Sequence, residues 1–349
     1  MTAIPSDENI LTVALVVSDG CFASTAYGLI DALGCVRSAA AEIGQTFAFK
    51  TLLLSQNGKA VRSVSGHRVA VCHSISDIDT PDIAIAVPAI KPEMSNHEVS
   101  RAMKPIGSLL SFFSDQLSRG AVVASSCTGS FVLAEAGLLD GKKATTHWRA
   151  AQVFRERYPN VVLQAEDLIT DNGSLMCGGG AASHVDLSLH LIRRFGGEAL
   201  ACHCAHMLVA DPGRSLQSPY ALMHYKSDHG DYLVNKAQDY IALNYSKAAL
   251  PSHLASQLHV SERTLARRFK TATGWSLGQY VQGTRIDAAR NKLATTDLPL
   301  QLIVIDVGYE DFSSFARLFK AKTGLTMQTY RARFRSQIVS PQEAEKRAV

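Results

Sequence analysis

LARRFKTATG at residues 265–274 and FARLFKAKTG at residues 315–324 are one motif written twice, 50 residues apart, with six of ten positions identical. Tyr280 matches Tyr330 beyond them at the same offset. Upstream the offset becomes 49, pairing Leu254 with Ile303 and Leu258 with Val307. The change falls between two helical segments, so the second copy has a turn one residue longer. A repeat that slips only in its turn describes two helix–turn–helix units. In the first copy Ser261 is a natural N-cap. Leu265 and Phe269, four residues apart, point inward, while Arg263, Arg267 and Lys270 share the opposite face. In the second, Phe312, Phe315 and Phe319 form the apolar stripe, and Ser313, Arg317 and Lys320 occupy the matching exposed face. Arginine offers two donors to a guanine edge, and lysine near a helix end reaches phosphate. With Arg268 beside them, these seven are the candidate contacts to double-stranded DNA. Solvated charges on a structural helix would not need to recur in register.

Charge follows the same division. Residues 233–335 hold 15 Lys and Arg against 7 Asp and Glu, a net +8 within a chain whose total is +4. Residues 336–349 sum to zero, leaving −4 for residues 1–232. A basic segment joined to a mildly acidic one places only the former against a polyanion. Between them, residues 211–232 carry two prolines, two glycines and no sustained periodicity, which reads as a linker. Residues 336–349 read as a frayed tail.

Residues 1–210 alternate short apolar runs (Leu11–Val17, Phe47–Leu54, Ile83–Val87, Ala121–Ala124) with helical stretches (Gly28–Glu42, Ile106–Arg119, Phe131–Gly137). Shorter strands follow near Val161–Gln164, Leu168–Thr170 and Ser174–Cys177, and then a long helix, Ala181–Phe195. The alternation predicts a flavodoxin-like α/β domain, a mostly parallel sheet with helices on both faces. The whole chain is then an α/β domain followed by an all-α domain with two helix-turn-helix units. No apolar run approaches the roughly 18 residues of a membrane span, and the first residues lack a secretory signal's pattern. Seven scattered cysteines read as reduced thiols of a cytoplasmic protein.

The run Ile303–Arg331 resembles the second helix-turn-helix signature of the AraC/XylS family. Gly308-Tyr309, Asp311, Ser314-Phe315, Arg317, Phe319-Lys320, Gly324 and Tyr330-Arg331 carry the likeness. Leu254-Ala255 through Gly274 is similar to the first unit. Met327 and Val304, where proline and alanine are usual, depart at packing positions. The resemblance implies two units joined by a helix near Gln279–Ala294, reading successive major grooves on one DNA face.

In the first domain, Ala121–Ser126 runs as a strand into Cys127 and then a helix. A cysteine at such an elbow, near a helix N-terminus, favours the thiolate, and His147 is the candidate base. Residues 125–148, SSCTGSFVLAEAGLLDGKKATTHW, resemble the class I glutamine-amidotransferase-like (PfpI-type) domain found fused to AraC-type units, and the likeness extends over about residues 10–210. In enzymatic relatives the cysteine is the nucleophile, and glycines after the third strand help form the oxyanion hole. Here that stretch is Val87-Pro88-Ala89-Ile90; Thr25 stands at the usual acid's place and Leu29 where proline is usual. Asp19 is the remaining acid. Without the glycines catalysis is disfavoured, so Cys127, His147 and Asp19 are read as lining an effector pocket at the carboxyl ends of the strands. The resemblance implies a small nitrogenous metabolite as effector. It also implies a homodimer, with RNA polymerase as a further partner.

Cys202-His-Cys-Ala-His206 offers two ligands on one helix face, too few for a metal site. Gly178-Gly-Gly180 lacks a P-loop lysine and the dinucleotide spacing. No cofactor is expected. The leading expectation is an effector-responsive, sequence-specific transcription regulator and not an enzyme. An amidase or isonitrile-hydratase-like enzyme and a redox switch at Cys127 remain as alternatives.

Overall fold

The computed structural model describes residues 9–222, 229–247 and 250–335. The expected tail at 336–349, and part of the expected linker, lie outside the described residues. The chain divides into two compact units, Met1–Gln217 and Ser218–Val349. The break falls inside the expected linker. The segment up to Gln217 runs with the first unit: the Leu168 N–H donates to the Ser215 carbonyl at 2.8 Å, and Gln217 is buried.

In the first unit the strands are β1 (Ile10–Val16), β2 (Ala48–Ser55), β3 (Val61–Arg62), β4 (Arg68–Val69), β5 (His73–Ser74), β6 (Ile83–Ala86), β7 (Val122–Ser126), β8 (Lys143–Ala144), β9 (Val162–Leu163), β10 (Ile169–Asp171) and β11 (Leu175–Gly178). Seven of them make one sheet in the order β10-β11-β7-β6-β1-β2-β5, parallel except where β10 meets β11. The strands are apolar on both sides because both faces are covered. Val13 and Leu15 point into one core, Ala14 and Val16 into the other. Helices α1 (Ala23–Gly34), α2 (Val36–Glu42), α7 (Ser183–Gly196) and α8 (Glu198–Met207) cover the first face. Helices α3 (Asn96–Met103), α4 (Gly107–Ser118), α5 (Ser130–Glu135) and α6 (Ala151–Arg157) cover the second. The single helix expected over Gly28–Glu42 is two, α1 and α2. They meet at Cys35, directly after Gly34, a weak helix former,.

Every regular element described in the second unit is a helix: α9 (Tyr232–Asn244), α10 (Leu250–Gln257), α11 (Glu262–Thr273), α12 (Leu277–Thr295), α13 (Leu300–Asp306), α14 (Phe312–Thr323) and α15 (Met327–Phe334). Its apolar residues fall into two cores, and α12 serves both. Leu277, Tyr280 and Val281 pack with α9–α11, while Ile286, Ala289 and Leu293 pack with α13–α15. Met327 and Val304 both lie in the latter core.

Candidate nucleic-acid interface and elbow site

Helices α11 and α14 are built alike at both ends. Ser261 Oγ accepts the Thr264 N–H at 3.2 Å, and Asp311 Oδ1 accepts the Ser314 N–H at 2.7 Å. Each helix closes on a glycine in the left-handed region, Gly274 at φ +75° and Gly324 at φ +76°, where a side chain would strain the backbone,. Before each glycine a buried threonine ties the helix to the segment beyond it. Thr273 Oγ1 donates to the Phe269 carbonyl (2.7 Å) and accepts the Trp275 N–H (3.1 Å). Thr323 Oγ1 does the same with Phe319 (2.8 Å) and Leu325 (3.2 Å). The turn before α11 runs over residues 258–261 and that before α14 over 307–311, one residue longer.

The inward residues are Leu265 and Phe269 in α11 and Phe315 and Phe319 in α14, all fully buried. Phe312 is half-buried. Arg263, Arg267 and Lys270 on α11, and Ser313, Arg317 and Lys320 on α14, are exposed. The Lys270 ammonium donates to the Gly274 carbonyl, at the negative end of its own helix,. Arg268 differs from the rest. Its Nε donates to Asp231 Oδ2 at 3.0 Å and its Nη2 to Oδ1 at 2.7 Å. Asp231 Oδ1 also caps α9 by accepting the Val234 N–H at 3.1 Å. Arg268 therefore clamps α11 to α9, a structural task that its place in the sequence did not reveal.

In the first unit the elbow forms as expected. Cys127 follows β7 with φ +52°, a strained conformation for a non-glycine residue,. A side chain at Gly129, two residues on, would collide with the Ala86 carbonyl. Thr128 Oγ1 donates to the Ile90 carbonyl at 2.6 Å, fastening the elbow to the Val87–Ile90 stretch.

The protonation state corrects the expectation of a thiolate. Cys127 is 1% exposed, and burial pushes its thiol up to about 12. Burial also brings His147 down to about 4; the Arg149 charge adds to this and the Glu93 carboxylate opposes it. His147 Nδ1 accepts the Arg149 N–H at 3.2 Å, so the neutral ring carries its proton on Nε2,. Asp19 is exposed, and its Oδ1 accepts the Arg62 N–H at 2.8 Å, pinning the β3–β4 hairpin. Among the described residues no hydrogen bond joins any two of Cys127, His147 and Asp19. Glu93, whose charge reaches His147, gave no signal in the sequence.

Gln217 is another residue that sequence reasoning missed. Its Nε2 donates to the Thr146 carbonyl at 2.7 Å and to Thr145 Oγ1 at 3.1 Å; its Oε1 accepts the Trp148 N–H at 3.2 Å. This one buried amide thus fixes the loop that carries His147. Among the described residues, two buried hydroxyls at the carboxyl end of the sheet have no hydrogen-bond partner: Thr25 on the first turn of α1, 1% exposed, and Ser126 at the end of β7, 0% exposed. The Cys202–His206 segment lies on α8, where His203 Nε2 meets Glu42 at 2.7 Å. The described residues hold no cluster able to bind a metal.

A doubly covered, mostly parallel sheet with an elbow cysteine is thus joined in one chain to a helical domain with two matched helix-turn-helix units. The DJ-1/PfpI family matches residues 38–194, and the helix-turn-helix domain family matches residues 254–333. The chain is 28% identical over 274 residues to the HTH-type transcriptional regulator CdhR of Pseudomonas aeruginosa, covering 77% of this chain and 78% of that one. It is 37% identical over 89 residues to an isonitrile hydratase of Pseudomonas putida, covering 25% and 37%. The crystal structure of an AraC family transcriptional regulator from Pseudomonas putida aligns at TM-score 0.46 and 18% identity, over 57% of this chain and 99% of that one. The chain thus combines a DJ-1/PfpI-type domain with a following AraC-type helix-turn-helix domain, and relatives such as CdhR are named HTH-type transcriptional regulators.

Proposed function

We propose that the chain is a transcription regulator that reads double-stranded DNA through α11 and α14 and responds to a small molecule bound in its first domain. The observation that carries this reading is the recurrence of an exposed basic face on two helices with matched caps and matched cores. Arg263, Arg267 and Arg317 are the proposed base readers, with Lys270, Ser313 and Lys320 on phosphate. Arg267→Ala and Arg317→Ala should each weaken binding to a selected operator by roughly 10- to 100-fold, the scale of one lost bidentate base contact. Unchanged operator affinity in a folded double variant would sink the reading.

The effector is proposed to lie at the carboxyl ends of the strands, near Cys127 and His147. The unpartnered hydroxyls of Thr25 and Ser126 support a ligand there, since buried polar groups are normally satisfied,. A protonated thiol and a neutral imidazole suit hydrogen bonding to an uncharged part of a nitrogenous metabolite. Screening such metabolites by melting temperature, in wild type and Thr25→Val, tests it. A ligand that stabilises both proteins equally places the site elsewhere. Homodimerisation, contact with RNA polymerase and a cytoplasmic setting belong to the same proposal.

The similarity to an isonitrile hydratase favours a second reading, an enzyme acting through Cys127. A buried, protonated thiol with no hydrogen bond to His147 among the described residues, and a histidine whose Nδ1 already accepts the Arg149 N–H, argue against turnover,. Isonitrile consumption by purified protein, abolished in Cys127→Ser, would establish this second reading instead.

A further inference from the structure

Cys35 occupies the junction of α1 and α2, closing one helix and opening the next. Cys204 lies fully buried on α8. Helix α8 packs against α2, and both cysteines belong to the core on that face of the sheet. The two thiol side chains interact with each other there. Cys35 Sγ also stands 3.2 Å from the Ala32 carbonyl. Both are free thiols, and Cys35 is half-buried, so small solutes reach it.

We propose that Cys35 and Cys204 form a reversible redox couple, oxidised by hydroperoxides to a disulfide between the α1–α2 junction and α8. This goes beyond the effector reading and does not depend on it.

The Cys35 thiolate attacks the outer oxygen of the peroxide. The O–O bond breaks, Cys35 becomes a sulfenic acid, and the leaving oxygen departs with a proton as an alcohol or water. Cys204 then attacks the Cys35 sulfur. The S–S bond forms, the sulfenic oxygen leaves, and the Cys204 proton completes a water molecule. Two thiols lose two electrons and the peroxide gains them. The contact with Cys204 lowers the Cys35 thiol from its ordinary value and raises the Cys204 thiol, so Cys35, the more exposed of the two, is the attacking sulfur and Cys204 the resolving thiol,. Cys127, buried and protonated, lacks both properties.

The test uses the full chain, reduced and then exposed to hydrogen peroxide near pH 7. Remaining thiols are blocked, and the unreduced protein is digested for mass spectrometry. The expected product is a Cys35–Cys204 linked peptide pair that dithiothreitol reverses. In Cys204→Ser, a sulfenic acid at Cys35 should be trapped by dimedone. Oxidation confined to Cys72, Cys202 or Cys127, with Cys35 recovered as blocked thiol, overturns the proposal; the wild-type experiment alone decides this even if a variant fails to fold.

Discussion

At Cys127 two influences on a thiol oppose each other. The start of a helix favours the thiolate, and removal from water favours the thiol. Burial wins, and the group stands near 12. Native protein treated with a thiol-reactive disulfide should therefore be modified at exposed Cys72 and Cys202 and at half-buried Cys35, with Cys127 reacting only on unfolding; prompt labelling at Cys127 would contradict its burial. His147 gives a pH signature. Its folded pKa, about 4, lies below the ordinary 6.5. Well above pH 6.5 the ring is neutral in both states and adds nothing,. As pH falls toward 4 the unfolded chain takes up the proton first, and stability is lost. At pH 5 the loss is about 2 kcal/mol relative to pH 7. Urea unfolding at the two pH values should show that extra decline in wild type and not in His147→Gln. The elbow was legible because a polar Ser-Cys-Thr-Gly turn after an apolar strand has few other uses. The thiol's protonation was not, because desolvation is set by what packs over a group and not by its neighbours in sequence. Arg267 and Arg268 make the same point. Adjacent in the chain, one is open to solvent and the other clamps Asp231.

At the scale of elements, the repeated threonine has the clearest consequence. Thr273→Val and Thr323→Val keep the shape of the side chain but strip the partner from the Trp275 or Leu325 N–H. Each should cost about 1–3 kcal/mol, the penalty of an unmade buried hydrogen bond, seen as a lower melting temperature of the helical domain. Equal stability of wild type and variants would show that water replaces the hydroxyl. The identical threonines were visible in the repeat, but their task was not, since a bond back to the helix leaves no periodicity. The one-residue difference between the two turns was fully readable, because apolar spacing on either side registers any insertion. The break at Cys35 was hidden, since Gly28–Glu42 keeps its apolar pattern across the join. Gln217 was hidden for another reason: its partners lie at 145–148 and 167, far away in sequence.

For the whole molecule, charge separation governs how binding responds to salt. Each phosphate neutralised by the basic domain releases counterions, so the logarithm of affinity falls linearly with the logarithm of salt concentration. Lys320→Ala should reduce that slope by about 0.9 and weaken operator and unrelated DNA alike. A loss confined to the operator would make Lys320 a base reader. Arg268→Ala should instead lower the melting temperature and leave the salt slope unchanged. Helix α12, shared by the two cores, adds a constraint of another kind. Its 19 residues rise roughly 28 Å at about 1.5 Å each, comparable with the pitch of about 34 Å that separates successive major grooves on one face of DNA. Under the proposed reading of DNA, α12 would set the phase between the two units. One residue added at its centre would swing one reading head about 100° around the other, while the same insertion at the 211–213 turn would leave both in register.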